Sequence, residues 1–205
     1  MTAPAISTDL DLLAYNFNLE TTDFLSQFRQ TPDRSLVGQS FLHELAREGD
    51  VLSAEVIINA GGEVDLADDE GRRPLHEAAF FGQKDMVEFL ISCGAIIDAP
   101  IHPFGHTALY YAVERGHMDV TRSLIEHSAS LMVEDRLTGQ GLLHLAAASG
   151  DMAMIGLLIA AGVDVFHEDK KGMTARDIAA RKGHKDVESV LVKVMEHHAR
   201  FALGV

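Results

Sequence analysis

The chain has 205 residues, 47% of them hydrophobic and 23% charged, with no tryptophan and one cysteine. That composition excludes a disordered chain, an intrachain disulfide and a zinc site built on two or more thiolates. A net charge of −14 opposes general affinity for nucleic acid or anionic lipid, and no apolar run approaches the roughly 18 residues that a membrane span requires.

At the amino end, Leu10, Leu12, Leu13, Phe17 and Leu19, then Phe24, Leu25 and Phe28, make two short amphipathic stretches. Thr21-Thr22-Asp23 reads as a helix start and Pro32 as the stop of the second stretch. Residues 1–37 are expected to form an N-terminal helical cap over the core of the adjoining region, or alternatively a segment that docks in a partner's groove. The start Met1-Thr2-Ala3-Pro4-Ala5-Ile6 has no basic region and no apolar core, so no signal peptide is expected. With a single cysteine, this points to a cytoplasmic protein.

From residue 38 the chain repeats. Glycines recur at Gly38, Gly71, Gly105, Gly139 and Gly172, in steps of 33, 34, 34 and 33 residues. A second series, Gly49, Gly82, Gly116, Gly150 and Gly183, keeps the same steps, and a third runs Gly61, Gly94, Ser128, Gly162. After the first glycine come Leu42-His43, Leu75-His76, Leu109-Tyr110 and Leu143-His144, followed by small residues such as Ala78-Ala79 and Ala146-Ala147. After the second comes an apolar run at helical spacing, for example Met86, Val87, Phe89, Leu90 and Ile91. Each copy therefore predicts two short helices. The second glycine ends the first helix in a left-handed cap, and the third ends the second helix. Between residues 184 and 203 there is no glycine or proline, so the last helix is expected to outrun its counterparts.

Gly71-Arg72-Arg73-Pro74-Leu75-His76-Glu77-Ala78-Ala79-Phe80-Phe81-Gly82 resembles the ankyrin-repeat signature, and the copies opening at Gly105 and Gly139 follow it more loosely. The resemblance covers roughly residues 38–200. It implies an all-α solenoid of helix–turn–helix units joined by short β-hairpin loops, divided at about 38–70, 71–104, 105–138, 139–171 and 172–205. The fifth copy carries Arg176-Asp177 where others carry Leu-His, as suits a capping repeat whose outer face meets water. The resemblance also makes His43, His76 and His144 structural hydrogen-bonding imidazoles, and gives His117 and His184 positions that the family often fills with histidine.

Catalytic chemistry finds no foothold. His43-Glu44 and His76-Glu77 begin a zinc-protease motif, but its second histidine is replaced by Arg47 in one and Phe80 in the other. His102 and His106 are separated by Pro103 and Gly105, which argues against a helical metal pair. No phosphate loop or nucleophile elbow is present. Cys93 reads as a buried small hydrophobe rather than a nucleophile. Asp65, Asp98 and Asp164 come a few residues after the third glycine position and read as scaffold. No enzyme activity, cofactor, metal or small-molecule substrate is expected.

The resemblance instead implies a monomeric protein-binding module that presents a concave surface of hairpin tips and first helices. The positions the repeat leaves free supply the candidates: Asp69, Glu70, Arg72, Phe80 and Phe81, then Pro103, Phe104, His106, Tyr111, Glu114 and Arg115, then Lys170, Lys171, Arg181 and Lys182. Adjacent Phe80 and Phe81 cannot both face one core, so at least one is expected to be exposed, and with Phe104 and Tyr111 they would make an aromatic anchor. Charge is uneven: residues 168–205 carry 8 Lys and Arg against 6 Asp and Glu, while the rest carry 9 against 25. That gradient would orient a protein partner. The alternatives are a secreted effector or an enzyme's regulatory subunit using the same surface, and, less favoured, nucleic-acid binding by the basic C-terminal end.

Overall fold

A computed structural model describes residues 41–59 and 61–203, with side chains to residue 200. The N-terminal stretches and Gly38–Ser40 lie outside these residues. The described part is all-α, with ten helices in chain order: α1 Phe41–Glu48, α2 Val51–Asn59, α3 Pro74–Phe80, α4 Lys84–Ser92, α5 Ala108–Glu114, α6 Met118–Glu126, α7 Leu142–Ser149, α8 Met152–Ala161, α9 Ala175–Lys182 and α10 Lys185–Leu203. The chain divides into two compact units between Ile96 and Ile97.

In the first unit α1 packs on α3 and α2 contacts α4, while α1 also packs on α2 and α3 on α4 within each repeat. Ala46, Ala78 and Ala79 are fully buried, so the first helices approach closely, while Ile57, Met86, Val87 and Leu90 fill the space between the second helices. Each such aliphatic side chain contributes about 1.5–3 kcal/mol by leaving water. The second unit repeats the scheme, with α5 on α7 on α9 and α6, α8 and α10 stacked alongside. Its core is Ala112, Ala146, Ala147 and Ala179 on the first helices and Val120, Leu124, Ile155, Leu158, Val187 and Leu191 on the second. Helix α10, at 19 residues, is about twice the length of its counterparts, and among its described side chains only Val187 and Leu191 are buried.

Helix ends follow the glycine series. Gly150 caps α7 in the left-handed region at φ 75°. At the third-glycine position Ser128 takes φ 66°, the one positive-φ non-glycine among the described residues.

Hairpins between successive repeats are held by aspartates. Asp68 Oδ1 accepts from the backbone N–H groups of Glu70 (2.9 Å) and Arg72 (2.8 Å). Asp135 Oδ1 does so from Leu137 (3.0 Å) and Thr138 (2.6 Å), and Asp169 Oδ1 from Lys171 (2.8 Å) and Met173 (3.0 Å). Burial opposes ionisation of Asp68 and Asp135, but donated hydrogen bonds outweigh it, from the backbone and Arg72 at Asp68 and from the backbone, His106 and Thr138 at Asp135, and hold both below the usual carboxylate value.

The histidines bond as structural groups. His144 Nδ1 accepts from Gly141 N–H (3.2 Å) at the start of α7, and its Nε2–H donates to the Met173 carbonyl (2.9 Å) of the next hairpin. His43 Nε2 reaches the Arg72 carbonyl (2.9 Å), and His76 Nδ1 accepts from Arg73 N–H (3.0 Å). In the fifth copy Asp177 replaces the histidine as the local acceptor, since Thr174 N–H (3.0 Å) and Oγ1–H (2.8 Å) donate to its Oδ2. Asp65 and Asp98 act as scaffold too, accepting from Ile96 N–H and Ser130 N–H about one repeat on.

Cys93 departs from expectation, because it is exposed. The buried series of α4 ends at Leu90 and the helix stops at Ser92, which leaves Cys93 as the cap residue at the helix end, outside the buried series.

Candidate functional site

The first unit places Asp69 and Glu70 exposed at a hairpin tip, with Arg72 half-buried behind them. The Arg72 guanidinium is internally committed: Nε lies 3.0 Å from Asp68 Oδ2 and 3.3 Å from Glu77 Oε1, and Nη2 lies 3.5 Å from Glu70. Glu77 has 4% of its side chain exposed and is gripped from the other side by Arg47 Nε at 3.4 Å. A carboxylate so buried needs such partners, and two guanidiniums supply them. Arg47 in turn rests over the Phe81 ring, 5.4 Å from its centroid. Phe81 is 43% exposed, while Phe80 is half-buried and meets Phe81 edge-on with centroids 5.0 Å apart. As expected, at least one of the two adjacent rings is exposed. Sequence reasoning missed Arg47 and Glu77, although Glu77 follows His76 directly and could have been weighed as a charge facing the N-terminal helices.

In the second unit Pro103 and Phe104 are exposed at the next tip. His106 belongs to an internal stack. Its ring lies 3.9 Å from that of Tyr110 at 6°, and 5.5 Å from Phe104 at 23°, with Tyr111 edge-on at 5.5 Å. The imidazole Nε2–H donates to Asp135 Oδ2 at 2.7 Å, so His106 joins two hairpins. Tyr110, missed in the sequence, is buried, and burial together with the charges of Asp135 and Glu114 pushes its phenol above the usual value. Tyr111 is half-buried, and Glu114 and Arg115 are exposed neighbours 4.0 Å apart. Lys170 donates its ammonium to the Arg136 carbonyl, which ties one hairpin to the next. Lys171, Arg181 and Lys182 are exposed.

A cavity of about 520 Å³ in this unit is lined by Leu131, Val133, Leu142 and Val163, with His144, His167, Glu134 and Asp164 among its walls. Those polar groups are already spent on scaffold. Both His144 nitrogens bond backbone, and His167 Nε2 bonds the Gly139 carbonyl at 3.0 Å with Glu134 Oε2 at 3.4 Å. Asp164 accepts from Phe166 N–H. A Cβ at Gly141 would come within 3.3 Å of the His167 ring, so the imidazole packs closely against this glycine. Among the described residues no three His, Cys, Asp or Glu side chains are grouped to hold a metal, and no helix is long and apolar enough to cross a membrane.

Comparison with known proteins agrees with this geometry. The family description "Ankyrin repeats (3 copies)" matches residues 10–101, 42–135 and 96–165, and "Ankyrin repeats (many copies)" matches 143–192. Similar curated proteins include "Ankyrin repeat protein nuc-2" of Neurospora crassa, 29% identical over 74% of this chain and 14% of that protein. Another is "Putative palmitoyltransferase ZDHHC13" of Danio rerio, 30% identical over 67% of this chain and 21% of that protein. A third is "Nuclear factor NF-kappa-B p105 subunit" of Gallus gallus, 30% identical over 61% and 13%. The match thus spans about a fifth or less of the length of these relatives.

Proposed function

The chain belongs to the ankyrin-repeat family, and from that premise we propose that it is a non-catalytic adaptor, scaffold or inhibitor that holds a protein partner on its hairpin tips and first helices. Ankyrin repeats mediate protein–protein interaction, and the family is typically non-catalytic. The observation that carries the reading is Phe81, 43% exposed beside Phe80 and covered on one side by Arg47, whose position is fixed by Glu77. An exposed aromatic already held in place loses little entropy on docking, which is the character of a binding anchor. The flanking Asp69 and Glu70 set a negative border to that anchor, and Phe104 and Pro103 offer an apolar tip in the second unit. We place the protein in a reducing cytoplasm as a monomer, because an exposed lone thiol at Cys93 would cross-link copies under oxidising conditions.

The test is affinity capture of partners by the wild type beside a Phe80→Ala, Phe81→Ala double variant. Loss of an aromatic anchor should weaken capture about tenfold or more, with the circular-dichroism spectrum retained. Unchanged capture, or a collapsed helical spectrum, removes the site.

A further inference from the structure

Between α7 and α9 of the second unit lies an open cavity of about 480 Å³. Its floor is Ala148, Met173 and Ile178, and its rim is Gln140 with Lys171, Arg181 and Lys182. No carboxylate lines it. Lys171 comes from a hairpin, whereas Arg181 and Lys182 come from the last turn of α9. Cations at a helix C-terminus are commonplace, since they answer its partial negative charge. That accounts for Arg181 and Lys182 on their own helix, but not for a third cation brought to the same rim from another segment. The neighbouring cations are used otherwise: Lys170 bonds the Arg136 carbonyl and Arg176 pairs with Asp177 at 2.6 Å. For Lys171 and Lys182 no acidic partner occurs among the described residues, and the Arg181 guanidinium rests on the Met173 sulfur at 2.9 Å.

We propose that this cavity is a subsite for an acidic segment of a protein partner, with carboxylates on Lys171, Arg181 and Lys182 and a small apolar side chain on Met173 and Ile178. Charge complementarity names the occupant. The chain as a whole carries −14, so three convergent cations form a local exception. A long polyanion such as a nucleic acid would extend past these three cations onto a chain whose other residues are net negative. A short run of Asp and Glu gains the attraction without that repulsion. The apolar floor also favours a peptide, because a phosphodiester backbone has nothing to bury there.

The proposal deepens the protein-binding reading but is tested separately from it. A short fluorescent peptide of alternating Asp and Glu with one Leu is titrated with the full chain by anisotropy. Saturable binding that weakens as salt rises is expected, and Lys171→Glu with Arg181→Glu should weaken it tenfold or more with an unchanged melting curve. Lys193→Glu with Arg200→Glu changes the net charge equally at other exposed positions of α10 and should leave binding within about twofold. No binding, equal losses in the two double variants, or tighter binding of a single-stranded oligonucleotide than of the peptide would each overturn the assignment. In those cases capture that depends on Phe80 and Phe81 would still stand on its own result.

Discussion

Replacing His144 tests whether the repeat histidine joins consecutive repeats. His144 is 2% exposed and accepts from Gly141 N–H at 3.2 Å while donating to the Met173 carbonyl at 2.9 Å. In His144→Ala the Met173 carbonyl keeps the Asp169 N–H (2.9 Å), but Gly141 N–H, buried at the start of α7, loses its acceptor. An orphaned buried donor costs about 1–3 kcal/mol, and the void left by the ring adds to it, so a total near 3 kcal/mol is expected. His144→Asn restores an acceptor three residues after Gly141, as Asp177 does for Thr174, and should recover about 1 kcal/mol. The chain has no tryptophan, so urea unfolding is followed by circular dichroism.

The pH dependence gives a second reading of the same bond. Burial lowers the His144 pKa below the ordinary 6.5, with the nearby His167 adding to the effect. A histidine depressed in the folded state takes up its proton more readily when unfolded, so its contribution is complete above about 6.5 and is lost as pH falls. The alanine variant lacks this titration. The stability gap between wild type and His144→Ala should therefore narrow from about pH 7.5 to about pH 5.5. A cost below about 1 kcal/mol, or a gap constant over that window, would refute the two-bond account.

Two further substitutions should stabilise the protein. Ser128 carries a Cβ at φ 66°, where glycine is unstrained, so Ser128→Gly should raise stability by up to about 1 kcal/mol; a lower melting temperature would show that the side chain contributes more than its strain costs. Thr121 is fully buried and its hydroxyl has no hydrogen-bond partner among the described residues. Thr121→Val keeps the shape and removes an unsatisfied group, so the urea midpoint should hold or rise, and a fall of more than about 1 kcal/mol would reveal a bond to that hydroxyl.

The helix pairs were legible because backbone geometry repeats where sequence repeats: the glycines mark turns and the alanines mark close helix contacts. The histidines were legible for the same reason. Side-chain destinations at free positions were not. Arg72 and His106 occupy the residue after the first glycine, as do Gln140 and Met173, and nothing in the local pattern distinguishes them. Arg72 turns inward because Glu77, on the next helix, is buried and needs a cation. His106 turns toward Asp135, 29 residues away, because that carboxylate has a second oxygen left over from bracing its hairpin. Cys93 depended on where a helix stopped, which composition does not specify.

This division has a mechanical consequence. Asp68, Asp135 and Asp169 brace their hairpins through main-chain donors, and side chains add to the brace, with Arg72 Nε at 3.0 Å from Asp68 Oδ2 and Thr138 Oγ1 at 2.9 Å from Asp135 Oδ1. Where a neighbour makes a demand on the residue after the glycine, as Glu77 does of Arg72, the side chain becomes structural, and removing it would leave a buried carboxylate with only Arg47. At Gln140 the side chain hydrogen-bonds Asp169 of the next hairpin and also lines the cavity whose rim is cationic. The residue after the glycine thus serves as an internal strut at Arg72 and His106, and at Gln140 as a strut that also faces a cavity. Recognition in such a fold can therefore change from repeat to repeat without disturbing the turns that hold it.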